Sequence, residues 1–447
     1  MNASFSNRFS ETTANKNFHQ GIERLFVSVV INSVLGLAIF SSLKSLGIPT
    51  LFTVILTLLL FVTGVIIITR LLPIELNGIR KRKPLLSVLW LLIAFVSVFY
   101  SVRLTVFMVD PTQTQYSLFP TDKWMVEHCC LTAYSESALL TSSKEKNIYK
   151  SNFYIGPDSL VKKNIRRKIE SKPESGQAGF TVDNYHYPPP FLLLPIVTRF
   201  IVNGNFIQLR MLWYALSVLS LMAALFIIYY RMDNLGRLRL LGMAPLILWS
   251  MPVLSGLQMS NVQIIVISIS IIAMALFQIN KPLGGLLLAM SSVAKIFPGI
   301  LFVYLIVQRK FKEGMQVILF AIVLSLIAFV VVGSNPFEAF INYELPRLSS
   351  GEAFAGPFSR EFAVARNMAP FGIPLKLALL GVPGMTLGIG RIVSSVHLFM
   401  VLLLAIWAGR QKPRTNAESI SVWISLIALS SLVSPFAPAN YVLVSVV

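Results

Sequence analysis

The sequence predicts an all-α polytopic membrane protein, and three observations carry that prediction. Of 447 residues, 55% are hydrophobic and only 13% are charged, more apolar side chain than a soluble fold of this length can hide. The apolar residues fall into runs of about 20, the length at which a helix spans roughly 30 Å of hydrocarbon. Basic residues outnumber acidic ones, 38 to 19, for a net charge of +19, and they gather in short tracts at the ends of the apolar runs. In a soluble chain that charge would suggest nucleic acid. At span ends it is the positive-inside pattern plus attraction to anionic lipid, so the expected partner is the bilayer and not nucleic acid.

The runs justify each element in order. The first 23 residues are polar and lack the charged, apolar, small-residue order of a cleaved signal peptide, so the run Leu25–Leu43 is expected to remain as an anchor. It pairs with Ile48–Thr69 across a short turn holding Lys44 and Gly47, giving an N-terminal hairpin over 25–83 that ends on the basic tract Arg80 to Lys83. That tract places the N-terminus in the cytoplasm. Leu85–Val109 then exits, and residues 110–188 form a large extracytoplasmic loop with nine of the 19 acids.

The stretch "DNYHYPPPFLLLP" (Asp183 to Pro195) closes that loop. Proline has no N–H and suits only the first turn of a helix, so three in a row make a stiff entry ramp into the next apolar segment. Residues 189–447 complete what reads as a single membrane domain. Phe206–Tyr230 crosses to the basic "RMDNLGRLR", Leu240–Leu257 goes out, and Val262–Gln278 returns. Gly284–Gln308 could cross once, but that would strand "RKFK" (Arg309 to Lys312) outside. Lys295 and Pro298 interrupt the run, which predicts two half-length helices that enter and turn back, with Lys295 at the outer tip. Met315–Val332 crosses again, a second outer segment follows from Gly333 to Phe371, and Arg391–Ala408 returns to "RQKPR". The last run, from Ile420, is broken by "SPFAPAN" and is still apolar at Val447, which suggests a C-terminally truncated chain. The total is ten to eleven membrane segments, counting the half-length ones.

The unusual polar residues converge on the outer side. Asn261 and Gln263 fall at the outer end of a span, Lys295 at the hairpin tip, Asn367 in the second outer segment and Asn440 in the last break. A carboxylate, a buried cation and several amides at one membrane face are the parts of a group-transfer site, the carboxylate taking a proton and the cation stabilising a leaving phosphate. Lys295 stands out, because an ionisable group inside an apolar run is functional by default. Arg103 and Arg210, near span ends, fit snorkelling as well as ligand binding. Tyr185 and Tyr187 fit an aromatic belt as well as a binding groove, and Asn261 and Gln263 fit interhelical hydrogen bonding. Cys129 and Cys130 are adjacent, so no ordinary intrachain disulfide is expected between them. Four scattered histidines show no ligand spacing, and no Gly-rich phosphate loop or Ser-His-Asp pattern is present. Neither a metal nor an organic cofactor is expected.

In their order and spacing, "YHYPPPFLLLP", "SNVQIIV", "AKIFPGILFVYLIVQRKFK", "ARNMAPFGIPLKL" and "SPFAPANY" resemble glycosyltransferase family 87, over roughly Leu85 to the C-terminus. The resemblance implies the GT-C fold of integral-membrane enzymes in bacterial envelopes. It implies transfer of a mannose-like hexose or a pentose from a polyprenyl-phosphate donor to a glycan or glycolipid acceptor, outside the cytoplasm and in the inner membrane. The donor phosphate would then be held by Lys295 and Arg210, with Tyr185, Tyr187, Asn261, Gln263 and Asn440 around it. Two departures stand out. The amides Asn261 and Gln263 are exchanged relative to the family's Gly-Gln-x-Asn tract, and Asn440 stands where a histidine is usual. The register of the family's catalytic aspartate offers Glu127 and His128, so the base candidates are Glu127, then Asp110, then Asp122. A transporter or flippase of a phosphate-bearing lipid is the alternative. It would also need a buried lysine and broken helices, but in matching pairs in two halves of the chain.

Overall fold

The computed structural model describes residues 13–72, 84–150, 179–411 and 413–439. The chain is all-α, and among the described residues strand-like pairing is limited to two isolated bridges, His128 with Thr181 and Asn367 with Pro438. Six helices are long and apolar enough to cross a membrane: 24–45, 50–71, 85–109, 206–231, 311–332 and 387–410. A seventh span is possible as a bent pair. The basic tract Arg80 to Lys83 lies outside the described residues.

Helices α1 (Thr13–Ser45) and α2 (Thr50–Leu71) form the expected hairpin. Gly47 turns it at φ +76°, and Pro49 precedes the first turn of α2. Helix α3 (Pro84–Val109) leads to the first outer segment, which holds α4 (Lys123–Glu127) and α5 (Leu131–Ser142). The proline ramp forms a 3₁₀ turn, Pro189–Leu192, that runs into α6 (Leu193–Ile201). Pro189, Pro190, Phe191 and Leu192 are all buried, so the ramp is packed inside the protein rather than lying at the lipid surface.

Helix α7 (Phe206–Arg231) is the pillar of the fold, packed against α1, α3 and α10 (Gln263–Leu276). Between them α8 (Asn234–Trp249) and α9 (Met251–Gln258) meet at a 51° bend. Pro252, in the first turn of α9, has no N–H to continue the preceding helix. At 14 residues, α10 is about 21 Å long, too short to cross, and nearly every side chain on it is buried. It is an interior element whose start is set by a break at residues 259–262.

The run around Lys295 divides as the sequence predicts. Helix α11 (Lys281–Ala294) stops at Lys295, whose extended backbone (φ −140°, ψ 134°) ends it. A turn at Phe297–Gly299 then starts α12 (Ile300–Val307). Helix α13 (Phe311–Val332) begins immediately afterwards. Its Glu313 lies 2.8 Å from Lys281 at the start of α11, and Gln316 packs against Gly285. The chain therefore enters and leaves this segment at the same face. That face also carries the end of α7, where Arg231 bonds Gln278 and the Ala275 carbonyl. The end of α14 (Leu387–Arg410) is there too, with Gly409 against Val307, and α15 (Asn416–Ser431) follows.

Single cysteines at Ile279 and Arg309, both exposed, should react with a membrane-impermeant maleimide from one side of the membrane, and a cysteine at Gly384 from the other. Labelling of the Ile279 and Arg309 positions from opposite sides would mean that α11 and α12 cross as one span.

Candidate functional site

The site is built on the break between α9 and α10. Four residues, Met259 to Val262, leave helical geometry in the protein interior, and Ser260 takes a left-handed φ of 51°, which is uncommon for a residue with a side chain. Unwound backbone at membrane depth is stable only where protein or water pairs its polar groups, and here the first outer segment does so. The Cys130 N–H donates to the Met259 carbonyl at 2.8 Å, and the Val262 N–H points at the Tyr134 hydroxyl at 3.4 Å. Asn261 covers the next position with its own side chain, its Oδ1 accepting from the Gln263 N–H at 2.9 Å. Buried Gln258 clamps the same segment from α9, donating to the Met125 carbonyl at 2.7 Å and accepting from the Leu118 N–H at 2.8 Å.

A chain of polar side chains runs outward from this break. Lys295 Nζ donates to Gln263 Oε1 at 2.7 Å and lies 5.4 Å from the centre of the Tyr187 ring. Among the described residues no carboxylate comes within ion-pair distance of it. Asn261 Nδ2 donates to Cys130 Sγ at 3.2 Å, and that sulfur is 3.6 Å from His128 Nε2. The imidazole in turn stands 3.7 Å from Asp183 Oδ2. Cys130 is within electrostatic reach of both Asp183 and Lys295. Burial pushes the Cys130 thiol up, and it also holds the Tyr134 and Tyr187 phenols above their usual range. All three are neutral groups at pH 7. The two phenols share a 2.8 Å hydrogen bond.

Local bonds fix Asp183 and His128. The Thr181 N–H donates to the Glu127 carbonyl, making a one-residue bridge that lays residues 181–183 beside 127–128. Thr132 Oγ1 then accepts from the Asp183 N–H at 3.0 Å. The imidazole stacks on Trp124, with ring centres 4.5 Å apart and planes 15° from parallel.

The three base candidates are occupied elsewhere. Asp122 is the N-cap of α4, accepting from the Trp124 and Met125 N–H groups, which is the ordinary use of an aspartate before a helix. Asp110 accepts from the Thr112 N–H and hydroxyl in a tight turn after α3, and those bonds hold its carboxyl below the usual range. Glu127 lies 3.7 Å from Lys123 on an exposed helix face. Of the residues expected at the phosphate, Lys295, Gln263, Asn261 and Tyr187 do come together. Tyr185 is buried one layer behind, against Tyr149 and Phe191. Arg210 is fully buried between the Phe107 and Phe180 rings, and its Nη1 donates to the Phe107 carbonyl at 2.6 Å. It closes the last turn of α3 through Nη1, while its Nε and Nη2 are buried without a hydrogen-bond partner among the described residues. Asn440 lies outside the described residues.

Glu344, not singled out from the sequence, and Asn367, which was, hold the second outer segment in place. Glu344 is fully buried at the end of a π-helical turn, Phe340–Glu344, and accepts from both sides. His186, from the ramp, is at 2.6 Å and Arg347 at 3.1 Å. Asn367 ties the segment to the final break, donating to the Pro435 carbonyl and accepting from the Ala369 and Ala437 N–H groups. The histidine inside Tyr-His-Tyr was the available sequence signal for the first of these.

With this geometry in place, the comparison with known families is decisive. The family model "Glycosyltransferase family 87" matches residues 185–435, more than half of the chain. The chain belongs to glycosyltransferase family 87. Within that family 87 match fall the ramp tyrosines, the α9–α10 break, Lys295 and Asn367, whereas His128, Cys130 and Asp183 lie ahead of it. No curated protein and no solved structure matches the chain. Membership in family 87 and the apolar helices together make this a membrane glycosyltransferase.

Replacing Gln258 with Leu should strip partners from two buried backbone groups, at about 1–3 kcal/mol each. Thermal unfolding in detergent should show a clearly lowered midpoint. An unchanged midpoint would mean that the clamp on the first outer segment is not needed.

Proposed function

We propose that this glycosyltransferase uses a polyprenyl-phosphate sugar as donor and transfers the sugar to a glycan or glycolipid acceptor at the outer face of a bacterial inner membrane. The observation that supports this most is Lys295: a lysine inside the protein that faces an amide and an aromatic ring and, among the described residues, no carboxylate within ion-pair distance. Inserting a lysine at this depth costs roughly 2.5–3.5 kcal/mol, and an anionic ligand would offset that cost. A lipid phosphate arriving laterally from the bilayer meets both requirements, a charge for Lys295 and a long apolar tail for the lipid-facing helices.

In this reading the acceptor hydroxyl attacks the anomeric carbon as the bond from that carbon to the phosphate oxygen breaks. The pair of electrons in that bond leaves with the polyprenyl phosphate, and Lys295 stabilises the growing charge on its oxygen. Gln263 holds the ammonium in place and the Tyr187 ring forms the floor beneath it. The hydroxyl proton passes to a carboxylate, and we assign that role to Asp183, the acid that faces the polar chain leading to Lys295. Asp110, Asp122 and Glu127 are held by a turn, a helix cap and a surface lysine.

The assignment separates cleanly by kinetics. Asp183→Asn should lower turnover of a polyprenyl-phosphate sugar by about 10²–10⁴-fold, the usual effect of losing a general base. Lys295→Met should slow turnover and weaken donor binding in a folded protein. Asp110→Asn and Glu127→Gln should retain near-normal rates. Full activity in Asp183→Asn, with loss in Glu127→Gln or Asp110→Asn, would return the base to those residues.

A further inference from the structure

We propose that His128, Cys130 and Asp183 form a three-ligand site for a divalent transition metal of the zinc class, with a fourth position open to water or to an oxygen of the substrate. This goes beyond the reading of the site as a sugar-transfer centre and does not depend on it.

The three donor atoms, His128 Nε2, Cys130 Sγ and Asp183 Oδ2 or its partner oxygen, all lie within 4.8 Å of one another, and two of the three residues are buried. The imidazole nitrogen is 3.6 Å from the sulfur and 3.7 Å from Asp183 Oδ2. The second separation is too long for a hydrogen bond, while the sulfur is within weak hydrogen-bond reach of the imidazole. His128 Nδ1, the ring nitrogen away from these groups, is buried with no hydrogen-bond partner among the described residues. Three potential ligand atoms of different chemistry are therefore gathered in one place.

Two of the three separations are near those that a shared ion would set. A tetrahedral metal about 2.1 Å from nitrogen and oxygen and about 2.3 Å from sulfur holds such atoms roughly 3.4–3.6 Å apart. The mix of thiol, imidazole and carboxylate suits zinc or cobalt better than magnesium or calcium, which take oxygen. Three protein ligands with a vacancy are the arrangement of catalytic rather than structural zinc.

The surroundings agree. Asn261 Nδ2 donates to the sulfur at 3.2 Å, the kind of outer bond that orients a thiolate on a metal. Lys295 also acts on Cys130 and helps balance a thiolate and a carboxylate placed together. The backbone holds the donors before any ion arrives, through the His128–Thr181 bridge and the bond from Asp183 N–H to Thr132. On binding, the thiol proton leaves to water and the sulfur takes the metal as a thiolate. Asp183 bound through one oxygen keeps its other for a hydroxyl proton.

The test uses the full-length protein in detergent. Elemental analysis after purification without chelator should find about one zinc per chain. After stripping, titration with Co²⁺ alone should produce a thiolate-to-cobalt charge-transfer band that saturates at one equivalent. Cys130→Ser should abolish the band, and Asp183→Asn or His128→Ala should weaken Co²⁺ binding by roughly 100-fold or more, since outer partners alone are worth 10–100-fold. Cys129→Ser, with the neighbouring thiol, should leave the band in place. Absence of metal and of the band in a folded parent protein would overturn the site, as would an unchanged band in Cys130→Ser. A metal-free protein whose sugar transfer still depends on Lys295 removes this inference alone. A metal-loaded protein that turns over no lipid-phosphate sugar removes the transferase assignment alone.

Discussion

Everything at the candidate site depends on pairing the unwound backbone between Gln258 and Gln263. A helix break inside a membrane protein exposes N–H and C=O groups that lipid cannot satisfy. Here they are taken up by Cys130, Tyr134 and the side chain of Asn261, and Gln258 adds two further bonds from its own side chain. Docking the first outer segment to the break is therefore a requirement of the fold. The same docking delivers His128, Cys130 and Asp183 to the neighbourhood of Lys295. Structure and site share one set of hydrogen bonds.

The proline ramp adds the second constraint. Tyr187 sits under Lys295 while His186, one residue earlier, reaches the opposite way to buried Glu344. Stiff proline geometry directly after these residues leaves little freedom for either side chain to move alone. The two outer segments are thus referred to a single rigid turn, one through the Tyr134–Tyr187 pair and the other through the His186–Glu344 pair. A donor entering between them meets walls already set in position, which lowers the ordering cost of forming the reactive geometry.

Much of the fold was legible in the sequence because membrane depth imposes strong rules on composition. Run lengths predicted the six long spans and the basic tract at Arg309 to Lys312 predicted the turn-back at Lys295, whereas Val262–Gln278, expected to cross, holds the shorter interior helix α10. The place of Asp183 beside an imidazole was not legible. Asp183 and Asp122 look alike as loop acids, and only the cap bonds of one and the imidazole beside the other separate them. The cap role of Asp122 was readable, since an aspartate before a short helix is a standard N-cap. His128 and Cys130 come to Asp183 and Asn261 across large sequence distances, 131 residues in the case of Asn261 and Cys130. No local spacing records such contacts. Nor does spacing record that Arg210 lies against the carbonyls at the end of α3.

The central claim is that the helix break and the hairpin tip together hold a lipid phosphate at Lys295. Cryo-electron microscopy of the protein in nanodiscs with a polyprenyl-phosphate sugar tests it directly. The account predicts phosphate density within hydrogen-bond reach of Lys295 Nζ, with the sugar between that phosphate and Asp183 and the prenyl tail leaving toward lipid. Phosphate density at Arg210 or beside Asp110, with Lys295 still on Gln263 and away from the ligand, would contradict it.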